Sequence, residues 1–116
     1  MTPIDLKSID NYPNSIYSTE ANNYIRELQI KLEKKDFEIS KQYYTIRDYK
    51  AAISSLDNFI SNFPGTPYRE NALYYKFISQ YEIATNSVPS KRLERLEGAK
   101  DTYEAILRYY PESLFM

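Results

Sequence analysis

Three short signals of one form punctuate the chain: Tyr12-Pro13-Asn14-Ser15, Phe63-Pro64-Gly65-Thr66 and Tyr110-Pro111-Glu112-Ser113. Each reads aromatic, proline, any residue, hydroxyl. Proline stops a helix, and a hydroxyl two residues later can cap the next one. The third signal copies the second in more than the turn. A shift of 47 residues pairs Tyr49 with Leu96, Ala52 with Ala99, Leu56 with Tyr103, Phe59 with Ile106, Phe63 with Tyr110 and Pro64 with Pro111. These positions step by three or four, the spacing of one buried helix stripe. A unit that recurs in this way cannot bury its apolar face alone, so the chain must stack its units.

Ala52, then Leu56, then Pro64 follow the second half of a tetratricopeptide repeat. Counting back places the small residue of the first helix at Ser40 and an aromatic at Tyr43. The second unit is stretched by about 13 residues over the usual 34-residue repeat, and its small position falls on or near Phe77. From about Ser18 to Arg47 the sequence has neither Gly nor Pro. The stripe Ala21, Ile25, Leu28, Leu32, Ile39, Tyr43, Ile46 holds helical spacing apart from Lys35, and Ile30, Phe37, Tyr44 recur every seven residues on another face. Such a segment reads as a helix of about 45 Å that links directly into the first repeat. The remaining helices are expected at Tyr49 to Asn62 behind an Asp48 cap, from Thr66 (cap) and Pro67 to about Asn86, and from Lys91 to Tyr110 behind a Ser90 cap. The last should bury Leu93, Leu96, Tyr103, Ile106 and Tyr110, with Lys100, Glu104 and Arg108 on its wet side. No strand pattern occurs. The expected fold is all-α, a tetratricopeptide-repeat-like α-solenoid of antiparallel helix pairs with a long N-terminal linking helix. Its parts are residues 1–17, the end of a preceding repeat and its turn, then 18–64, the linking helix and first repeat, and 65–116, the second repeat with a stretched loop. Three large apolar residues, Leu114, Phe115 and Met116, follow the last turn signal, so the chain is expected to be an excerpt.

Composition removes several function classes. The chain has no His, Cys or Trp and only two Gly. Without His and Cys there is no Ser–His or Cys–His nucleophile pair, and no zinc site of the usual nitrogen and sulfur kind. Two glycines cannot form a P-loop or a dinucleotide-binding turn. Carboxylates such as Asp57 and Glu82 have no partner at sequence level and read as solvated. No enzyme activity, cofactor or metal is therefore expected. Fifteen basic residues face sixteen acidic ones, and they alternate in Lys31 to Asp36 and Lys91 to Glu97. That balance gives no basic field for nucleic acid. No apolar run is long enough to span a membrane, and Met1 to Asp10 carries no signal core.

The residues together resemble the BamD family, lipoprotein scaffolds of the outer-membrane β-barrel assembly machine. The resemblance is carried by Tyr12-Pro13-Asn14-Ser15-x-Tyr17 and the long helix with Leu28 and Leu32. It continues through Glu38-Ile39-Ser40-Lys41-Gln42-Tyr43-Tyr44, Asp48-Tyr49-Lys50-Ala51-Ala52-Ile53, Phe63-Pro64-Gly65-Thr66-Pro67-Tyr68 and Ala72-Leu73-Tyr74-Tyr75. It covers the chain from about Tyr12 and looks nearest the Bacteroidetes branch. The long helix in front of the repeat singles out this family among repeat proteins. The resemblance implies a non-catalytic, protein-binding scaffold on the periplasmic face of the outer membrane. Its implied partners are BamA-like POTRA domains and other assembly subunits. It implies membrane attachment only through a lipid-modified Cys, which this chain lacks, as it lacks the family's first repeats. The alternative is another repeat adaptor of the cell envelope, of CpoB type, or a generic cytosolic repeat adaptor.

In tetratricopeptide repeats the first helix of each pair lines the concave face. That rule selects Phe37, Lys41 and Tyr44 from the first unit, and Asn71, Tyr74, Ile78 and Tyr81 from the second. A tyrosine-rich groove combines apolar area with a polar tip, which suits an extended peptide or a partner's edge. The competing reading packs these tyrosines between neighbouring helices, where most repeat aromatics lie.

Overall fold

The computed structural model describes residues 16–113. The Tyr12 turn signal and the Leu114-Phe115-Met116 tail fall outside the described residues. Four α-helices follow one another: α1 (Ile16–Thr45), α2 (Tyr49–Asn62), α3 (Arg69–Thr85) and α4 (Pro89–Tyr109). The described residues contain no strand, and the architecture is the all-α, tetratricopeptide-like one expected. The chain divides into two compact units, Met1–Lys34 and Lys35–Met116. In the first, α1 leaves Tyr24, Leu28, Ile30 and Leu32 exposed. The second holds the repeat packing and is described below.

The 47-residue relation is written into the backbone. Helix α2 ends on Phe63 at φ −130°, ψ 67°, and α4 ends on Tyr110 at φ −137°, ψ 68°. Each cap donates its N–H to the residue four back, Phe59 and Ile106 respectively. Each then accepts a turn hydrogen bond of 3.0 Å from the hydroxyl residue three ahead, Thr66 or Ser113. Proline cannot continue the helix, so the aromatic before it becomes the last capped residue in both units. Ala52, Phe59, Ala99 and Ile106 are all buried. The one broken equivalence is Leu56, fully buried, against Tyr103, which is exposed and packs its ring 5.6 Å from Phe77.

The core of the second unit joins Phe37, Ala52, Leu56, Phe59 and Ala72. Ser40 is the small residue where α1 meets α2. It is buried, donates to the Asp36 carbonyl at 3.1 Å and shares a 2.6 Å hydrogen bond with Ser55. A buried hydroxyl must be paired, and these partners satisfy it without adding bulk between the helices. The α1–α2 connection is tight. Arg47 adopts φ 65°, Asp48 N–H reaches back to the Tyr43 carbonyl and Arg47 N–H to that of Tyr44. This is a Schellman close. Asp48 then caps α2 as expected, its Oδ1 accepting from Ala51 N–H at 3.3 Å.

Several expectations are corrected. The long stripe of α1 is not the buried one. Ile39, Tyr43 and Ile46 are exposed, whereas Phe37 and Ser40 are buried and Tyr44 is half-buried. The seam follows the shorter Phe37–Tyr44 face because α2 and α3 attach there. Thr66 does not cap α3 directly. Its hydroxyl accepts from Tyr68 N–H at 3.1 Å, closing a turn through Pro67 and Tyr68 before α3 begins at Arg69. Pro89 lies in α4 rather than in the loop, with Val88 at the cap position and not Ser90. A proline's fixed φ and missing N–H suit that first position. On α4, Leu93 is 70% exposed and Tyr103 is exposed as well, while Ala99, Thr102 and Ile106 are buried. In the second repeat Phe77 is half-buried and is not the small position; the small buried residues of α3 are Ala72, Ser79 and Ala84, and the Ser79 hydroxyl donates to the Tyr75 carbonyl. The wet side of α4 agrees with expectation, with Lys100 3.8 Å from Glu104.

Candidate functional site

The two first helices, the end of α1 and α3, bring their tyrosines together. The Tyr44 ring lies 4.7 Å from Tyr75, centroid to centroid, and 6.2 Å from Tyr49 in an edge-on contact. Tyr74 meets Tyr75 at 5.7 Å, also edge-on. All four rings are half-buried, presenting some surface to solvent. Rings arranged edge-on or tilted match the positive edge of one to the negative face of the next. The cluster is therefore a packed platform with an exposed side rather than an enclosed pocket.

One carboxylate, that of Glu82, acts on the platform. The Tyr44 phenol is pushed above its ordinary value of 10.0, first by burial and then by Tyr74, Tyr49, Tyr75 and Glu82. Burial disfavours the phenolate, and so do the negative charge of Glu82 and, at alkaline pH, any neighbouring phenolate. Glu82 stands two turns beyond Tyr75 on α3, so it shares that face. It takes part in no ion pair among the described residues, where Lys76 pairs with Asp57 at 2.7 Å and Lys100 with Glu104.

Of the residues selected from sequence, Tyr44 and Tyr74 join this cluster. Lys41, one turn before Tyr44, is half-buried, as are Asn71 and Ile78, and Tyr81 is exposed at 47%. Phe37 does not line a surface. It is 4% exposed and stacks on Tyr68 at 4.7 Å with 9° between planes, with Phe59 at 5.6 Å and Tyr75 at 6.3 Å. Its place on the first helix was read correctly, but the neighbouring α3 lies over it. The concave-face rule missed Tyr49, Tyr75 and Glu82. The sequence did carry a signal for two of them: Tyr75 and Glu82 are seven residues apart, which puts them on one side of a helix.

The other concavity of note is a cleft of about 390 Å³ between α1 and α2, lined by Asp36, Ile39, Tyr43, Ser54, Asn58 and Asn62 among others. Asp36 is the single carboxylate in that lining, so no acid–base pair converges there. Among the described residues no group of three or more Asp or Glu side chains is placed to hold a metal ion. No described helix is long and apolar enough to cross a membrane.

The repeated turn and the helix order find a counterpart among known families. The model of the outer membrane lipoprotein family YfiO matches residues 6–96 and, in an overlapping match, residues 41–116. The chain belongs to this family, the BamD family. No individual curated protein matches the sequence. Membership places the chain with envelope lipoproteins of the outer-membrane assembly type, and the family is non-enzymatic.

Proposed function

We propose that this chain is a non-catalytic scaffold segment of the β-barrel assembly machinery at the periplasmic face of the outer membrane. In this reading its parent is held there by a lipid anchor and it binds POTRA domains of a BamA-like protein together with other assembly subunits. Residues 18–64 and 65–116 act as successive repeats, and the first helix of each offers its face to the partner. The observation that carries the reading is the tyrosine platform of Tyr44, Tyr49, Tyr74 and Tyr75 on those two helices. Tyrosine brings large contact area at small entropic cost, because it has few rotatable bonds and a polar tip. Lys41, Asn71, Ile78 and Tyr81 extend that face along the same helices.

The test is a titration of the parent protein with the POTRA domains from the same organism, followed by calorimetry. Binding in the micromolar range is expected, and it should weaken when Tyr74 and Tyr81 are both replaced by Ala. Absence of binding at tens of micromolar would remove the assembly-machine reading and leave the CpoB-type or general repeat adaptor.

A further inference from the structure

We propose that the tyrosine platform beside Glu82 is a seat for an arginine side chain of the partner's bound segment. This rests on the protein-binding reading above and adds the chemistry of the ligand to it.

Three features of the second unit converge on a planar cation. The first is shape. Tyr44, Tyr75 and Tyr74 touch one another at 4.7 and 5.7 Å, so the rings leave no enclosed cage between them and offer faces and edges on one side. A lysine ammonium is a compact, strongly hydrated point charge, and aromatic cages suit its methylated forms. A guanidinium is flat and weakly hydrated and stacks on an open aromatic surface. The second is charge. Of the groups that act on the Tyr44 phenol, Glu82 is the one carboxylate, and it supplies the negative charge beside the platform; phenols carry no charge at neutral pH. Glu82 is half-buried and outside any described ion pair, which leaves its carboxylate available to a guanidinium N–H. The third is that the same fold uses this contact internally: the Arg69 guanidinium lies over the Tyr109 ring at 4.7 Å.

Lys41 sits three residues before Tyr44 on α1, on the same helix face. Its like charge disfavours approach from the α1 side. The incoming arginine is therefore expected to enter from α3, over Tyr75 and next to Glu82. An extended segment running along α3 would carry the arginine at one residue and lay its neighbours against Ile78 and Tyr81.

The test uses the whole 116-residue chain and two synthetic peptides. Each has twelve residues, alternating Ser and Val, with one central arginine in the first and citrulline in the second. Citrulline keeps the shape and removes the charge. Affinities are read by titration while the ring signals of isotopically labelled tyrosines are followed by NMR. The arginine peptide is expected to bind roughly tenfold tighter, the size of one exposed cation–π contact plus one surface ion pair. Glu82→Gln should reduce the preference to about threefold, and Tyr44→Leu should abolish the remainder. Glu82→Gln changes a partly exposed charge without changing volume, so its result does not depend on how well the Tyr44 variant folds. Equal binding of both peptides, with Tyr44 and Tyr74 signals shifting, would overturn the arginine seat and leave the groove standing. No binding and no shift for either peptide would overturn both.

Discussion

Phe37 offers the sharpest test of the packing, because the concave-face rule and the structure give it opposite places. The structure buries its ring between Tyr68, Phe59 and Tyr75, stacked on Tyr68 at 4.7 Å. Replacing a buried Phe by Ala costs about 3–5 kcal/mol, the lost transfer energy plus the cavity left behind. A unit the size of Lys35–Met116 has a total stability of about 4–12 kcal/mol. Phe37→Ala therefore removes a large share of it, and Phe37→Leu is the more measurable change. Leu keeps most of the volume and loses the ring contacts, so about 1–2 kcal/mol is expected. The assay is urea unfolding followed by far-ultraviolet circular dichroism, with the midpoint falling and the slope unchanged. A double-mutant cycle with Tyr68→Leu isolates the stacked pair, for which a coupling of about 0.5–1.5 kcal/mol is expected. A residue lining an open groove would behave otherwise, since surface substitutions stay within about 0.5 kcal/mol. A loss below that size for Phe37→Leu, with no coupling to Tyr68, would refute the burial of this ring.

Two further predictions concern backbone and charge. Arg47 occupies the left-handed region at φ 65°, where a side chain is strained and glycine is not. Arg47→Gly should raise stability by about 0.5–1 kcal/mol in the same unfolding assay, and a destabilised variant would contradict the Schellman close. The Tyr44 phenol ionises above 10.0 when folded, so the native state keeps its proton after the unfolded chain has lost it. Its contribution to stability is intact below pH 10 and is lost as the pH rises through the folded value. Tyr44→Phe should shallow the alkaline fall in melting temperature; an unchanged alkaline profile would show that Tyr44 ionises no later than the other tyrosines.

What could be read from sequence follows the physics of each feature. The 47-residue repeat, the Asp48 cap and the small Ser40 were legible because each depends on a few local residues. The buried face of α1 was not. Counting apolar residues favours the long stripe through Ile39 and Ile46, yet those side chains are exposed. Which face is buried depends on where α2 and α3 dock, a long-range fact, and only Ser40 lying between Phe37 and Tyr44 hinted at it. The start of α3 moved for a similar reason. Tyr68 is held in a turn where its ring covers Phe37, and tertiary packing outweighs the favourable pairing of Thr66 with Pro67. Leu93 and Tyr103 satisfied the spacing of a buried stripe, but small residues on α4, Ala99 and Thr102, take the close contacts. Of the residues named for the candidate groove, Tyr44 and Tyr74 join the tyrosine cluster. Tyr49 was missed because it belongs to a second helix and reaches Tyr44 only across the tight Arg47 turn.

The central claim is that partners bind along the first helices of the repeats. It is tested most directly by site-specific photocrosslinking in living cells. A photoreactive phenylalanine analogue placed at Tyr81, exposed on α3, is compared with one at Arg108, exposed on α4. The account predicts a crosslink to an outer-membrane assembly protein from position 81 and none from position 108. Crosslinks from position 108 alone would contradict it and move the interface to the opposite side of the repeat.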